Sequence, residues 1–461
     1  EAHQIDRFLS NFRELDIERK ELVSIYPKPH IGFHRVWSAD NKITLTFIVS
    51  PGDEALAELE AEVDLWFLNG FPLRVNPDIW CETVCLELAR LSKSNAHLIS
   101  ICDDEKIQYR LAEEGFYLAK KNAFSGKLGT LKGVFKGKSK SQYLAPWFRP
   151  PPPSKSQGTI GIIGAGVAGC AMAEALARRG KKALLFDQQN NIAERASGIE
   201  AGLIAPELGL SASNMNRFYD RAYRMALRSI EDSGIKWNSR GVIEVFEKDE
   251  AHRRVQSMKD KVSLWHGAAQ LMPPSEFSSQ IGMKVSSHGV WFPQAGALKP
   301  KTYAKYLSQK AECFLGVTVY DLAYTDDGWQ LYDRSGQRIA TVDTLVIAAA
   351  QNSKSFKPIS FLPLSSLLGQ ISLIPKNENS SRLKASIVNN GYLMPSIDGF
   401  HVVGSTYSRG GFDENHWPQT VTVAGHKKNY DMLDLELRSL FPACKFDQWL
   451  GYSAIRSATP D

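Results

Sequence analysis

The stretch Thr159–Gly169, TIGIIGAGVAG, decides the fold of the larger part of this chain. Its apolar, β-branched start predicts a short buried strand over Ile160–Ile163. Three glycines follow at once, and the run CAMAEALARR, rich in helix-forming residues, predicts a helix over Cys170–Arg179. A further apolar run predicts the next strand over Ala183–Phe186. The order of strand, glycine turn, helix and strand predicts the opening unit of a doubly wound α/β fold.

The glycines of this turn, Gly164, Gly166 and Gly169, have GxGxxG spacing. The first glycine permits the tight turn, the second lets a pyrophosphate approach the backbone, and the third lets helix and strand pack closely. The pyrophosphate then lies at the positive end of the helix. Asp187 follows 23 positions after Gly164, near the spacing of about 20 expected for an acid that binds ribose hydroxyls. These four residues are therefore predicted to bind a dinucleotide.

The segments after this unit indicate which dinucleotide binds. Strands joined by DDG and SGQ turns are predicted over Val317–Tyr324, Gly328–Asp333 and Gln337–Ala350. An amphipathic helix is predicted over residues 213–233, with apolar positions at Met215, Phe218, Ala222, Met225 and Ile230. The chain thus leaves the nucleotide sheet, builds an antiparallel layer and returns, which is typical of flavoproteins and predicts FAD rather than NAD. The predicted nucleotide-binding parts are residues 158–212 and 340–370, and the substrate parts are residues 213–339 and 371–450.

A proline-rich seam divides the chain. Residues 141–157 read SQYLAPWFRPPPPSKSQ, and their four consecutive prolines favour a polyproline II spacer that cannot continue a helix or a central strand. We therefore predict a first domain over residues 1–140, a basic proline-rich linker over 141–157, and a second domain over 158–461.

Composition excludes several classes of protein. The chain has 461 residues, of which 43% are hydrophobic and 23% charged, so it is neither collagen-like, a coiled coil nor wholly disordered. Its six cysteines include no CxxC pair, and its histidines form no HxH or HExxH motif, so we expect no metal site. No signal peptide or membrane-length apolar run is visible, which predicts a cytoplasmic protein without a membrane partner.

Charge is distributed unevenly along the chain. Residues 1–119 hold 12 basic and 21 acidic side chains, whereas residues 120–157 hold nine basic side chains and no acidic one. A basic block without counter-charge attracts polyanions through counterion release. The alternative interpretation is a solvated linker.

Several further motifs accompany the glycine turn. In the first half they are Gly32–Arg35, Val63–Trp80, Leu111–Phe124 and Ala145–Phe148. In the second half they are Ala196–Pro206, Trp291–Pro300, Leu367–Ser372, Asn389–Pro395, Gly404–Gly411 and Ala454–Asp461. Through these motifs the chain resembles, over its whole length, the family of bifunctional tRNA wobble-uridine-modifying enzymes. These enzymes join a methyltransferase domain to an FAD-dependent oxidoreductase.

The resemblance implies both a fold and a reaction. The fold is a partial Rossmann-like methyltransferase domain, followed by an FAD-binding Rossmann domain that an antiparallel β substrate domain interrupts, as in D-amino-acid oxidase. The reaction is oxidative removal of the carboxymethyl group from 5-carboxymethylaminomethyl-(2-thio)uridine, followed by methylation from S-adenosyl-L-methionine. The implied partner is tRNA, whose phosphates suit the basic block. We expect no DNA partner and a monomer.

The implied substrate carries a glycine-like carboxylate, which needs a cation. Arginine suits this task because its planar fork binds a carboxylate through two hydrogen bonds. Arg409 and Arg456 lie in matching motifs and are our candidates, with surface ion pairs as the alternative. Tyr392 is a candidate to line the substrate pocket, or else a packed core residue. Ser197 and Gly198 resemble a loop that contacts the flavin, the alternative being an ordinary turn.

The methyltransferase half departs from the family pattern. Asn69 stands where family members carry an acid near the methyl-acceptor amine, and an amide cannot accept the proton at neutral pH. The first glycine is Gly32, so the glycine-rich loop that binds S-adenosyl-L-methionine is absent from this sequence. We therefore expect a chain truncated at both ends and little methyl transfer from these residues.

Two other functions stay open at this point. One is a stand-alone FAD amine or amino-acid oxidase whose N-terminal part only docks tRNA. The other is a tRNA-binding protein in which both catalytic sites are eroded. Yellow colour in the purified protein separates the enzymes from the binding protein. Release of glyoxylate from modified tRNA, but not from glycine or sarcosine, separates the tRNA enzyme from the general oxidase.

Overall fold

The computed structural model describes residues 2–26, 32–38, 40–68, 78–100, 104–121, 130–137, 158–206, 213–246, 248–261, 269–410, 413, 416, 418–442 and 444–460. The chain divides into two compact units, Glu1–Ser154 and Lys155–Asp461. Asn69 and the predicted linker lie outside the described residues. None of the described helices has the length and apolar character needed to cross a bilayer.

The first unit contains a mixed sheet covered by helices. Its elements are α1 (Ala2–Leu9), α2 (Asp16–Ile25), β1 (Gly32–Trp37), β2 (Thr44–Val49), α3 (Gly52–Ala57), β3 (Val63–Leu68), α4 (Glu82–Leu91), β4 (Ser92–Ser100), α5 (Glu105–Glu113), β5 (Phe116–Lys121) and β6 (Thr130–Phe135). The strand order is β3–β4–β6–β5, in which β3 and β4 are parallel and the other pairs antiparallel. Buried side chains of α4 and α5 pack against Leu98 and Phe116 of this sheet.

The second unit contains seven helices and sixteen strands within its described residues. The helices are α6 (Val167–Ala177), α7 (Asn214–Ser233), α8 (Lys248–Lys261), α9 (Pro274–Ile281), α10 (Pro300–Leu307), α11 (Val423–Asp431) and α12 (Leu435–Arg438). The strands are β7 (Ile160–Ile163), β8 (Ala183–Asp187), β9 (Gly202–Ile204), β10 (Ser239–Phe246), β11 (Gln270–Met272), β12 (His288–Leu298), β13 (Glu312–Leu315), β14 (Asp321–Thr325), β15 (Gly328–Tyr332), β16 (Arg338–Val342), β17 (Thr344–Ile347), β18 (Ser365–Pro375), β19 (Ser386–Val388), β20 (Tyr392–Leu393), β21 (Phe400–Gly404) and β22 (Leu450–Ala458).

A parallel sheet of order β13–β8–β7–β17 forms the nucleotide-binding part. Its central strands have the predicted positions, and the α/β fold class is confirmed. Helix α6 begins three residues before the predicted start, at Val167. The Ser197 hydroxyl explains this extension, because it accepts a hydrogen bond from the Val167 N–H at 3.2 Å.

The boundary between nucleotide and substrate parts differs from the sequence-based division. That division places residues 213–339 in the substrate part, but β13 pairs in parallel with β8 at the edge of the nucleotide sheet. Helix α10 packs on α6 and so delivers β13 beside β8. The antiparallel sheet β14–β15–β16 also packs on the nucleotide sheet, through Leu322, Leu331 and Val342. The sequence of a strand does not specify which sheet it joins.

The third of the predicted strands is two strands in the structure. The predicted span Gln337–Ala350 divides at Asp343 into β16 and β17, which belong to different sheets. The Asp343 carboxylate accepts a hydrogen bond from the Thr159 N–H at 2.7 Å, beside the start of β7. This contact fixes the bend that sends the chain back into the nucleotide sheet.

A nine-stranded sheet forms the substrate part. Its order is β11–β12–β10–β19–β20–β21–β18–β22, with β9 paired to β12. Strand β18 belongs to this sheet, although the sequence places residues 340–370 in the nucleotide part. One face of the sheet packs in a core with Phe277, Leu437 and Trp449. The opposite face carries Tyr392, Ile371 and Tyr452.

Candidate functional site

A cavity of about 640 Å³ lies at the carboxyl ends of the parallel strands. The glycine turn, the end of β8, residues 193–197 and the backbone after β17 line it. This volume falls within the range of roughly 300–1,000 Å³ typical of small-molecule and cofactor sites. The position is also the one where open α/β sheets bind ligands.

Each glycine of the turn has its own steric role. Gly164 has φ +108°, and a Cβ there would lie 2.3 Å from the Ala348 carbonyl oxygen. A Cβ at Gly169 would lie 1.8 Å from the Gly164 carbonyl oxygen, so only glycine lets α6 pack this close to the turn. At Gly166 the nearest atom to an added Cβ is the Ser197 hydroxyl, at 3.3 Å. Gly166 therefore leaves the space at the helix N-terminus that a pyrophosphate needs.

Asp187 connects the glycine turn to the end of β8. Its carboxylate accepts hydrogen bonds from the Ala165 N–H at 2.6 Å and the Gln189 N–H at 2.7 Å. An ionised carboxylate has about four lone-pair positions, so both oxygens keep capacity for a further donor. Because Asp187 also lines the cavity, it is suited to accept hydrogen bonds from ribose hydroxyls.

The Ser197–Gly198 turn lies against the N-terminus of α6. Ser197 accepts from the Val167 N–H, so its hydroxyl stands where the positive end of the helix dipole favours an anion. Gly198 leaves no room for a side chain, because an added Cβ would lie 2.5 Å from the Tyr452 hydroxyl. Both residues thus take part in the architecture of the cavity.

Arg195 is a cation that sequence reasoning missed. It lines the same cavity and is partly buried. Burial lowers the pKa of its guanidinium, while the nearby Asp187 carboxylate opposes that shift. A partly desolvated cation beside a helix N-terminus suits a diphosphate. With the glycine cradle and Asp187, these residues fit FAD.

Arg456 and Tyr392 belong to one polar cluster on the substrate sheet. Arg456 donates a hydrogen bond to the Tyr407 hydroxyl at 2.7 Å, and its guanidinium lies 5.1 Å from the Tyr407 ring centre. The Ser405 hydroxyl donates to the same Tyr407 oxygen at 2.7 Å. Burial is the main cause that raises the pKa of Tyr392 to about 12, and a side-chain hydrogen bond with Ser405 opposes the rise.

Arg409, the other predicted substrate cation, stands apart from this cluster. It is exposed and follows Ser408, whose backbone pairs with Leu368. Among the described residues, none forms a hydrogen bond or ion pair with the Arg409 side chain. The structure therefore brings Arg456 and Tyr392 together through Ser405 and Tyr407. The sequence analysis did not identify these two linking residues. The role of Arg409 as a substrate cation stays a prediction.

The described residues of the first unit do not fit S-adenosyl-L-methionine. Gly32 lies in the β1–β2 hairpin with open space around it, so it forms no cradle. Gly52 opens α3, but the strand before it belongs to that same antiparallel hairpin, and an added Cβ would meet only ordinary contacts at 3.7 Å. Asn69, the candidate near the acceptor amine, lies outside the described residues. The described residues of this unit therefore give no geometry for methyl transfer.

Comparisons with protein families cover both units. The model of the family described as FAD dependent oxidoreductase matches residues 159–461. The model of the family described as S-adenosyl-L-methionine-dependent methyltransferase matches residues 13–136. Glycine oxidase from Geobacillus kaustophilus has the same fold as the second unit, with a TM-score of 0.51 and 19% sequence identity over 66% of this chain and 84% of that chain.

Curated relatives match nearly the whole chain, among them the following two. The tRNA 5-methylaminomethyl-2-thiouridine biosynthesis bifunctional protein MnmC of Magnetococcus marinus is 30% identical over 95% of this chain and 67% of its own length. The MnmC protein of Ectopseudomonas mendocina is 28% identical over 99% of this chain and 70% of its own length. The chain therefore belongs to the MnmC family of bifunctional proteins, and its residues 159–461 belong to the FAD-dependent oxidoreductases.

Proposed function

We propose that this chain oxidatively removes the carboxymethyl group from 5-carboxymethylaminomethyl-(2-thio)uridine in tRNA. The observation that carries the proposal is the cluster of Arg456, Tyr407 and Tyr392, which offers a carboxylate-binding cation on β22. The residue before Arg456 on that strand, Ile455, lines the cofactor cavity. The relatives' names, which describe biosynthesis of 5-methylaminomethyl-2-thiouridine in tRNA, support the choice of substrate.

The cofactor cavity supplies the redox part. Gly166, Ser197 and the N-terminus of α6 would hold the FAD pyrophosphate, and Asp187 would hold the ribose of its adenosine. FAD held there would supply the acceptor for the hydride of a carbon–hydrogen bond of the carboxymethyl group. The protein's own contribution is to bind the substrate in one orientation and to exclude other amines.

Arg456 is the residue proposed to bind the substrate carboxylate. Its fork would form two parallel hydrogen bonds with that group, which fixes the direction of the carboxymethyl arm. The Tyr407 ring and hydroxyl already hold the guanidinium, so little side-chain entropy is lost when the carboxylate arrives. Tyr407 would then act as a positioning residue for Arg456.

Tyr392 is proposed as a hydrogen-bond donor in the same site. An ordinary phenol is already protonated at neutral pH, and burial raises the pKa of Tyr392 further, to about 12, so the side chain offers an O–H rather than a negative charge. A neutral donor beside Arg456 suits a carboxylate, whereas a phenolate would repel it. The oxidation needs no strong base if the substrate amine enters the site neutral. The oxidised carbon–nitrogen bond is then hydrolysed by water.

Methyl transfer is not part of this proposal. The family model for methyltransferases matches residues 13–136, but the described residues form no cradle for S-adenosyl-L-methionine. We infer only the oxidative step, which leaves the 5-aminomethyl base and releases glyoxylate. The function proposed is thus that of the second unit, with tRNA as the substrate.

The test is glyoxylate release from tRNA that carries the carboxymethylaminomethyl group, with FAD added to the protein. We expect release from this tRNA and none from unmodified tRNA. Arg456→Lys keeps the charge but loses the fork, so kcat/KM should fall roughly a hundredfold, mainly through KM. Arg334→Lys, an exposed arginine of the β15–β16 turn, is the matched control.

Two results would contradict the proposal. Equal kcat/KM for the wild type and Arg456→Lys would remove Arg456 from the site. Rapid oxidation of glycine or sarcosine, with no release from modified tRNA, would favour a general amino-acid oxidase instead.

A further inference from the structure

Helix α7 has two apolar faces, and within the described part of the chain one of them is buried. Tyr223, Leu227 and Ile230 are buried and attach the helix to the second unit. The Tyr303 hydroxyl of α10 also donates to the Ser229 hydroxyl at 2.7 Å. The predicted apolar stripe of this helix contains Ile230, but its other large members, Met215, Phe218 and Met225, are exposed. The helix is confirmed, and its buried face is centred on Tyr223 and Leu227.

The exposed face combines aromatic, apolar and cationic side chains. Phe218 and Met225 lie seven positions apart, so they share one side of the helix, and 63% and 60% of their surfaces are exposed. Arg221 lies between them and Arg228 follows Met225 by three, which places both arginines on the same side. Neighbouring exposed apolar side chains that are bordered by arginines are typical of an interaction surface.

The charge of the helix indicates the kind of partner. Helix α7 holds four arginines and three acids, a net charge of +1, and two of the acids, Glu231 and Asp232, lie in its last turn, so residues 214–228 carry +3. Arg224 forms a partly buried ion pair with Asp220 at 3.0 Å, and Arg228 lies 4.0 Å from Asp232 in a more exposed pair. An exposed pair such as Arg228–Asp232 contributes little to stability, so Arg228 could turn to a phosphate at small cost. Successive arginines four positions apart are spaced by about 6 Å along the helix, which suits consecutive groups of a polyanion.

The position of the helix connects it to the substrate sheet. Six residues separate its N-cap, Ser213, from Pro206, which lines a cavity of about 460 Å³ together with Val388. Val388 is paired with Tyr392 across β19 and β20, so the two side chains share one face of the sheet. A fully extended chain of seven residues spans at most about 25 Å, so Ser213, where α7 begins, lies within that distance of Pro206.

We propose that this face of α7, formed by Met215, Arg217, Phe218, Arg221, Met225 and Arg228, docks tRNA beside the substrate site. Arg217, Arg221 and Arg228 would contact phosphates, and Phe218 offers a ring on which an unstacked base near the wobble position stacks. RNA is recognised in this way where a base leaves the helix, by aromatic stacking and arginine contacts. The proposal rests on the proposed function, since it names the docking surface for the same substrate.

The test uses the full chain with FAD and measures tRNA binding by fluorescence anisotropy at several salt concentrations. Arg217→Ala combined with Arg221→Ala should weaken tRNA binding roughly tenfold and reduce the salt slope by about 1.4 to 1.8, the value for two phosphate contacts. Phe218→Ala should weaken binding with little change in the slope, because stacking releases no counterions.

A matched control removes the same charge elsewhere. Arg334→Ala combined with Arg338→Ala deletes two exposed arginines of the β15–β16 hairpin and should leave tRNA binding within about twofold of the wild type. Oxidation of the free nucleoside 5-carboxymethylaminomethyluridine should be unchanged in Arg217→Ala/Arg221→Ala, because the substrate site is intact.

The outcomes separate this inference from the proposed function. If the wild type binds modified tRNA and releases glyoxylate, but the α7 variants bind tRNA as tightly, the docking surface is wrong and the function stands. If Phe218→Ala changes the oligomeric state or lowers thermal stability while tRNA binding is unchanged, a protein surface covers this face. If the wild type neither binds nor oxidises tRNA, both proposals fail.

Discussion

The Tyr452 hydroxyl lies 2.5 Å from the Glu194 carbonyl oxygen and 2.6 Å from the Arg195 carbonyl oxygen. Tyr452 belongs to β22, the strand that also carries Arg456, whereas Glu194 belongs to the turn that leads to Ser197. One side chain therefore ties the strand proposed to bind the substrate to the turn proposed to bind the cofactor. Burial raises the pKa of Tyr452 to about 12, so the hydroxyl remains a donor at any physiological pH.

The first prediction concerns this contact. Tyr452→Phe removes the hydroxyl that two carbonyls share, which costs about 1–2 kcal/mol of local stability. The Ser197 turn then loses its anchor, and we expect FAD to bind roughly three- to tenfold more weakly while the protein stays folded. Titration of the apoprotein with FAD, followed by flavin fluorescence, measures this. An unchanged Kd would show that the turn holds its position without Tyr452.

The second prediction concerns Gly198. An added Cβ would lie 2.5 Å from the Tyr452 hydroxyl and 2.9 Å from the Ala193 carbonyl oxygen, so Gly198→Ala must displace one of them. We expect a larger loss of FAD affinity than for Tyr452→Phe. The double variant should lose less than the sum of the two single losses in binding free energy, because removal of the hydroxyl relieves part of the clash. Strict additivity in the FAD titrations would contradict the coupling.

The third prediction contrasts two glycines with positive φ. At Gly164 an added Cβ would lie 2.3 Å from a carbonyl oxygen, whereas nothing lies within 4 Å of one at Gly180. Gly164→Ala should lower the free energy of unfolding by roughly 3 kcal/mol or more and abolish FAD binding. Gly180→Ala carries only the left-handed backbone strain, about 1–2 kcal/mol, and should keep its flavin. Thermal unfolding with and without FAD measures both.

If Gly164→Ala and Gly180→Ala have the same melting temperature and the same FAD affinity, the turn does not have the close packing described above.

The fourth prediction concerns pH. His401 is buried, its Nδ1 lies 2.9 Å from the Met394 carbonyl oxygen, and its Nε2 lies 2.9 Å from the Ser380 hydroxyl. Burial lowers its pKa from the ordinary 6.5. Below pH 6.5 the histidine is therefore protonated in the unfolded chain but still neutral in the folded protein. The free energy of unfolding decreases as the pH falls from 6.5 toward the pKa of the folded state.

The expected slope is at most about 1.4 kcal/mol per pH unit for this one histidine. Denaturant unfolding between about pH 7.5 and pH 5.5 measures it. In His401→Gln the decline should be shallower than in the wild type, whereas His252→Gln, an exposed residue of α8, should keep the wild-type slope. Equal slopes in all three proteins would assign the acid sensitivity to other groups.

The parts of the fold that are encoded locally could be predicted from the sequence. The strand at Ile160–Ile163, the glycine turn and the second strand follow from apolar runs and GxGxxG spacing within 30 residues. Helix α7 is predicted over residues 213–233 and observed over Asn214–Ser233, because its apolar period is a local property. Which of its two apolar faces is buried could not be predicted, since that depends on where the helix packs.

Contacts between distant segments could not be predicted. Tyr452 and Glu194 are separated by 258 positions, and no local pattern around either residue indicates the contact. Tyr407 lies in the motif Gly404–Gly411. Its hydrogen bond to Arg456 nevertheless depends on how β18 pairs with β22 and how Ser408 pairs with Leu368. A polar residue in a motif therefore predicts a candidate, whereas the pairing of strands decides which candidates meet.

The most direct test of the central claim is anaerobic mixing of the FAD-loaded protein with tRNA that carries 5-carboxymethylaminomethyluridine. The claim is that FAD binds in the cavity beside Gly164 and that Arg456 holds the substrate carboxylate close to it, so that the flavin oxidises the carboxymethyl group. We expect the yellow absorption of the flavin to bleach, with one glyoxylate released for each flavin reduced. A protein that binds no FAD, or a bound flavin that stays yellow with this tRNA, would contradict the claim.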